Sequence, residues 1–174
     1  MVQDQSGRTA GLEGPPEAAP AAEFLKTARA LIRGGQHKKA YSVILKASGI
    51  YPTHPIILSY LGWLQAIVDK AYRSGTSTCR KAFLHFKTSD RDVASVVYPI
   101  LYLNLGRTYL LAGRKRDAVE SFSKGLVYDR GHSELKREMR SLGVRKQPPL
   151  IFLSRSNPLN KYIGILIHNK NGKP

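Results

Sequence analysis

The sequence is poor in cysteine, in acidic residues and in long apolar runs, and each shortage removes a class of protein. A single cysteine, Cys79, leaves no disulfide framework within one chain, which fits a reducing compartment. No run approaches about 20 uninterrupted apolar residues, so no segment reads as a membrane-spanning helix. The N-terminal MVQDQSGRTAGLEGPPEAAP lacks the apolar core of a secretory signal. Its Gly, Pro and Ala content reads as a disordered leader over residues 1–20. Asp and Glu total 12 against 28 Lys and Arg, a formal charge of +16, and no acidic residue follows Glu138. That excess favours an anionic partner but says little about the fold.

Catalytic constellations are also missing. His37, His54, His85, His132 and His168 have no Cys, Asp or Glu at converging metal-ligand spacing. Cys79, beside Arg80 and Lys81, falls on a position that reads as an inert core thiol. The stretch GRTYLLAG is not a phosphate loop, because it lies in a helix–turn pattern and lacks the Gly-Lys-Ser/Thr ending. The expectation is no enzyme, no catalytic residue, no metal, no cofactor and no small-molecule substrate.

What is present is helical periodicity. From Ala21 to Gly143 apolar residues recur at helical spacing, with Gly and Pro near the breaks. The stretch also repeats itself. GGQHKKAYSVILKA (34–47) parallels AGRKRDAVESFSKG (112–125): a Gly, then basic and polar residues, then Ala, a bulky residue four later and a small one three after that. Upstream, LGWLQ (61–65) parallels LGRTY (105–109). Ala28 stands 34 residues before Gly62, and Gly62 stands 44 before Gly106, which is one period plus ten inserted residues.

Packing explains the pattern. Two helices joined by a short turn approach closely only where one presents Gly or Ala. Ala28, Gly62 and Gly106 fill that role, answered by Ala40 and Ala118 from the second helix. Tyr102, Leu105, Tyr109 and Phe122 would fill the surrounding space, each burial worth roughly 1.5–3 kcal/mol. Gly35 and Gly113 end first helices, where a left-handed residue is needed.

These residues resemble the tetratricopeptide repeat (TPR) family over about three units, residues 21–132. Unit three, Pro99–His132, carries Tyr102, Leu105-Gly106, Tyr109, Gly113, Ala118, Phe122 and Gly125, with Arg130 where the family usually has Pro. Unit one, Ala21–His54, carries Phe24, Ala28, Leu31, Gly35, Ala40, Ile44, Ala47 and Pro52, with Thr27 in place of the usual Leu. The middle unit has Pro55, Leu58 and Leu61-Gly62, and its Gly75, Cys79 and Ala82 fit only with one inserted residue. Residues 89–98 (SDRDVASVVY) are additional and lengthen the next helix. Ser133–Leu142 reads as a helix capped by Ser133, with a Leu135, Met139, Leu142 stripe covering the last pair, and stopped by Gly143. The expected fold is an all-α solenoid of helix-turn-helix repeats over 21–143, closed by this capping helix.

The resemblance implies a concave groove lined by the first helix of each unit. Projected onto this chain, its residues are Leu25 and Arg29 from unit one, and Ile56, Ser59, Trp63, Ala66 and Ile67 from unit two. Unit three supplies Ile100, Leu103, Arg107, Leu110 and Leu111. Some family members grip a C-terminal carboxylate with a Lys/Asn/Arg clamp. The matching places hold Leu25, Arg29, Tyr60, Ile100 and Asn104, so that clamp is absent. An apolar groove with Trp63 as anchor suits an apolar helix or a segment of apolar anchors.

A tail follows over residues 144–174. Val144–Pro149 reads as a stiff linker, and Ile151, Phe152 and Leu153 as an apolar peg. Asn157-Pro158 starts a short amphipathic helix whose Leu159, Tyr162, Ile163, Leu166 and Ile167 share one face. At about eleven residues, roughly 16 Å, that helix is too short to span a membrane and needs a surface to dock on. The repeat domain of the same chain is the first candidate, another chain the second, and a membrane surface the third.

The functional expectation is a cytoplasmic, non-enzymatic scaffold or adaptor for a protein partner, acidic or presenting an apolar helix. One alternative is a basic adaptor of nucleic acid, or of the inner face of a membrane as a peripheral protein. The basic residues Lys38, Lys39, Arg114, Lys115 and Arg116 at the turns suggest it, with no nucleic-acid motif beside them. A third reading resembles the small TPR chaperones of bacterial secretion systems.

Overall fold

The computed structural model describes residues 18–143, with side chains from Ala21 onward. Residues 1–17 of the expected leader, the linker, the peg at Ile151–Leu153 and the helix face from Leu159 to Ile167 lie outside the described residues, whereas residues 18–20 of that leader already belong to the first helix. Within them are seven α-helices and no strand. They are α1 (Ala18–Arg33), α2 (His37–Ile50), α3 (Pro55–Val68), α4 (Tyr72–Leu84), α5 (Arg91–Leu111), α6 (Lys115–Tyr128) and α7 (Ser133–Ser141). The chain divides into two compact units, with the division between Lys136 and Arg137. The six helices of the repeats and the first turn of α7 belong to the first unit.

The helices come as three pairs, α1/α2, α3/α4 and α5/α6, each joined by a three-residue turn. Each turn carries one residue in the left-handed region: Gly35 at φ 71°, Lys70 at φ 57° and Gly113 at φ 74°. In the outer pairs the turn closes with a bond spanning five residues, from Gln36 N–H to Leu31 C=O at 2.9 Å and from Arg114 N–H to Tyr109 C=O at 2.8 Å. In the middle pair the bond from Ala71 N–H reaches Gln65 C=O at 3.3 Å, six residues back. The extra residue that the middle repeat needs therefore lies between Gly62 and Lys70, at the end of α3.

The small residues sit where the helices cross. A methyl group added at Gly62 would strike the Gly75 carbonyl and the Cys79 sulfur, and one added at Gly75 would strike the Gly62 carbonyl. At Gly106 it would enter the Phe122 ring, and at Gly125 it would meet Leu135 Cδ1 at 2.7 Å. Ala28, Ala40 and Ala118 are likewise fully buried, as are Ile44, Cys79 and Phe122 four residues after the small residue of each second helix. Packing around close backbone crossings thus fixes the repeat.

Helix α5 begins at Arg91, eight residues before Pro99, so Pro99 lies inside a helix rather than at the start of one. Asp90 starts it: its Oδ1 accepts from Asp92 N–H at 2.8 Å and from Val93 N–H at 3.2 Å. The added turns bring Tyr98 beside Phe86 and stack it on Tyr128, with ring centroids 4.9 and 4.4 Å apart. Phe83 and Tyr102 complete this aromatic group at 4.8 Å.

Helix α7 begins at Ser133, but its capping side chain is His132, whose Nδ1 accepts from Leu135 N–H at 3.4 Å. This corrects the expectation of a Ser133 cap. His54, at the matching place two units earlier, does the same for α3 by accepting from Ile57 N–H at 3.4 Å. Leu135 is fully buried against Gly125 of α6.

Candidate partner-binding cleft

The first helices of the three pairs, α1, α3 and α5, share a cleft of about 310 Å³, completed by the residues that open α7. Its floor is Trp63 and Leu103, only 7% and 4% exposed. Ile32 and Ile100 add apolar wall. Its polar groups are Arg29, Arg33, Tyr60, Arg107, His132 and Glu134.

Two of the three arginines are held by aromatic rings. The Arg107 guanidinium lies 4.8 Å from the Trp63 ring centroid, and its Nη2 donates to Glu134 Oε2 at 2.8 Å. Arg29 Nε donates to the Tyr60 hydroxyl at 3.2 Å, with its guanidinium carbon 5.8 Å from that ring. Tyr60 and His37 stand 6.3 and 6.1 Å from the Trp63 ring, His37 meeting it edge-on. Trp63 is therefore already enclosed on several sides, and it offers a small part of its surface to anything entering the cleft. Three arginines here face one carboxylate, Glu134, so the cleft carries net positive charge. Flat, weakly hydrated guanidinium groups over aromatic faces suit carboxylates without losing apolar contact.

Of the residues projected onto the groove, Arg29, Trp63, Ile100, Leu103 and Arg107 line this cleft. Leu25 and Ile56 pack in the core shared by the first three helices. Ile67 lines a separate depression with Gly35, His37 and Lys70 at the turn end. Ala66 is fully buried, Leu110 is half-buried and Leu111 is exposed. Ser59 is 0% exposed: its hydroxyl donates to Ile56 C=O at 2.9 Å and accepts from Asn104 Nδ2 at 3.0 Å. It is an interior residue, because its face of α3 turns towards α5.

Ile32, Arg33, His132 and Glu134 complete the cleft without having been singled out. Glu134 had only a weak sequence signal, as one of two acids in the basic run SELKREMR. The places matching the family clamp also separate: Arg29, Tyr60 and Ile100 reach the cleft, while Leu25 and Asn104 are interior.

Cys79 Sγ is fully buried, 3.4 Å from Ser59 C=O and 3.5 Å from Thr108 Oγ1. Burial pushes its thiol up to about 12, which keeps it protonated and non-nucleophilic at neutral pH. Among the described residues no group of three or more His, Cys, Asp or Glu is placed to hold a metal ion. No described helix is long and apolar enough to cross a membrane.

No protein-family model matches the chain, and no curated protein matches it by sequence. Solved structures do resemble it. The first TPR domain of Spaghetti (RPAP3), bound to the HSP90 peptide SRMEEVD, superposes with a TM-score of 0.52 at 16% identity, covering 73% of this chain and 93% of that one. The first TPR domain of human RPAP3 gives 0.52 at 16% identity, covering 71% and 89%. The second, in complex with the HSP70 peptide SGPTIEEVD, gives 0.50 at 13% identity, covering 73% and 98%.

Proposed function

We propose, on the premise that the fold is that of a tetratricopeptide-repeat domain, that the chain is a non-enzymatic scaffold whose cleft receives a peptide of a protein partner. The observation that carries this reading is the cleft itself: Arg29, Arg33 and Arg107 set around an apolar floor of Trp63 and Leu103. Such a surface fits a segment that combines carboxylates with one or two apolar side chains. The apolar part would seat on Leu103, Ile100 and the exposed edge of Trp63. The carboxylates would meet Arg29 and Arg33 at the rim. No bond is made or broken; the preformed surface lowers the ordering cost of binding.

The solved relatives support a peptide as the ligand class, since two of them hold acidic peptides. The mode of reading differs, because the matching clamp places hold Leu25 and Ile100, and Asn104 is spent on Ser59. An acidic partner also fits the formal charge of +16, which speeds encounter at low salt.

The test is fluorescence anisotropy with a labelled acidic peptide carrying one Leu or Ile anchor, against a neutral peptide of the same apolar content. The native chain is expected to prefer the acidic peptide at least tenfold. Arg29→Gln with Arg33→Gln is expected to abolish that preference while circular dichroism stays unchanged. Undiminished binding in the double variant would exclude the cleft as the acidic-peptide site.

A further inference from the structure

A second basic concavity lies away from this cleft and shares no residue with it. It is formed by α4 and the turn between α5 and α6, with a volume of about 530 Å³. Its walls carry Arg73, Thr76, Ser77, Arg80 and Arg114, and no carboxylate lines it. Arg73 and Arg80 are seven residues apart on α4, two helical turns along one face. Arg114 arrives from the turn.

Two of the three guanidinium groups are fixed by one buried ring. Arg80 donates to the Tyr109 hydroxyl through Nε at 3.2 Å and Nη2 at 2.8 Å. Arg114 stands over the same ring, its guanidinium carbon 4.6 Å from the centroid, while that of Arg80 is at 5.9 Å. Asp117 takes only the Nε of Arg114, at 2.7 Å. The Nη groups of Arg114 and the Nη1 of Arg80 have no partner among the described residues, and Arg73 has none at all. The Ser77 hydroxyl is a further donor, whereas Thr76 already donates to Tyr72 C=O at 2.8 Å. The concavity therefore presents several N–H donors and three guanidinium charges, of which only that of Arg114 is offset by a carboxylate, Asp117, which does not line the concavity.

We propose that Arg73, Arg80 and Arg114 form a binding site for a phosphate dianion, met as the phosphomonoester of a phosphorylated peptide. A phosphomonoester carries about −1.5 to −2 charge and three acceptor oxygens near pH 7, which matches three guanidinium groups where a single carboxylate does not. The volume admits one phosphorylated residue and its neighbours. A nucleic acid gains affinity from a track of about 6–10 phosphate contacts, and three cations in one concavity are not such a track.

The test uses the full chain and arginine Nε–H resonances followed by heteronuclear NMR. The probe is acetyl-Gly-Gly-Ser-Gly-Gly-amide, with and without phosphate on the serine, beside inorganic phosphate and a single-stranded oligonucleotide. Saturable shifts at Arg73, Arg80 and Arg114 are expected with the phosphopeptide, and at least tenfold weaker binding without its phosphate. Arg73→Gln with Arg80→Gln is expected to weaken binding tenfold or more. Lys38→Gln with Lys39→Gln removes the same charge elsewhere and is expected to change it less than twofold. Inorganic phosphate binding as well as the phosphopeptide would keep the dianion site and assign it to the free ion. Equal loss in both double variants, or equal binding of both peptides, would overturn the proposal. Tighter binding of the oligonucleotide with a steep salt dependence would overturn it in favour of a nucleic-acid surface. Acidic-peptide binding in the α1–α3–α5 cleft is read on different residues and survives or fails separately.

Discussion

Arg107 stands over Trp63 with its guanidinium carbon 4.8 Å from the ring centroid, while Glu134 holds its Nη2 at 2.8 Å. The side chain is 12% exposed, so both contacts work in a partly dry setting. Trp63 is the only tryptophan, which makes its emission a direct report on this contact. Arg107→Ala is expected to shift the emission to longer wavelength and to lower stability by about 1–2 kcal/mol, from lost packing as well as lost cation–ring attraction. Steady-state fluorescence and urea unfolding check it. Emission unchanged in position and intensity would show that the ring does not depend on Arg107.

A turn residue and a crossing residue give opposite signs. Lys70 adopts φ 57°, a conformation its Cβ disfavours by about 1 kcal/mol, where the equivalent turns use Gly35 and Gly113. Lys70→Gly is expected to raise stability by about 0.5 kcal/mol, the relief of strain being partly offset by a freer unfolded chain. Gly62→Ala is expected to cost at least about 2 kcal/mol, because its methyl group meets Gly75 backbone and Cys79 rather than a flexible side-chain end. Chemical denaturation of both variants decides the pair of signs.

The repeat was legible because the crossing points are chemically severe. Only Gly fits at Gly62 and Gly106, and Ala118 is fully buried, so the spacing survives in the sequence even where the turn glycine has become Lys70. The cleft was less legible. Projection by repeat position selects a helix face but not a depth, which is why Ser59 and Leu25 proved interior. It also looks only along the first helices, and so passes over Glu134 and His132, which reach the cleft from the start of α7. The pairing of Glu134 with Arg107 joins residues 27 positions apart and leaves no local pattern.

His54 links the fold to pH. Its Nδ1 accepts from Ile57 N–H, which requires the neutral ring, and burial lowers its pKa below the ordinary 6.5. The unfolded chain therefore binds the proton more readily than the folded one. The cap contributes fully above pH 6.5 and is lost as the pH falls through the lowered folded value. Acidification from pH 7.5 to 5.5 is expected to cost the native chain more stability than His54→Asn, in which a neutral amide replaces the imidazole as cap. Thermal melts across that range test it. Parallel pH profiles for the two proteins would remove His54 as the source.

Asn104 carries a buried acceptor that is unsatisfied among the described residues. It is 0% exposed and spends Nδ2 on Ser59 Oγ at 3.0 Å, while its Oδ1 has no hydrogen-bond partner among the described residues. A buried acceptor without a partner costs about 1–3 kcal/mol, more than one neutral hydrogen bond returns. Leu matches Asn in branching and heavy-atom count and carries no polar atom, its bulkier methyl groups offsetting part of the gain. With Leu at this position Ser59 keeps its bond to Ile56 C=O, and Thr108 keeps its bond to the backbone carbonyl of residue 104. Asn104→Leu is therefore expected to stabilise the chain by about 1–2 kcal/mol, read as a higher urea midpoint at unchanged slope. Ser59→Ala is expected to destabilise, because it leaves the Asn104 amide donor unpaired as well. If both substitutions destabilise alike, the network is fully satisfied and Asn104 Oδ1 has a partner such as a buried water. The sign of one substitution thus separates a strained interior amide from a hydrated one.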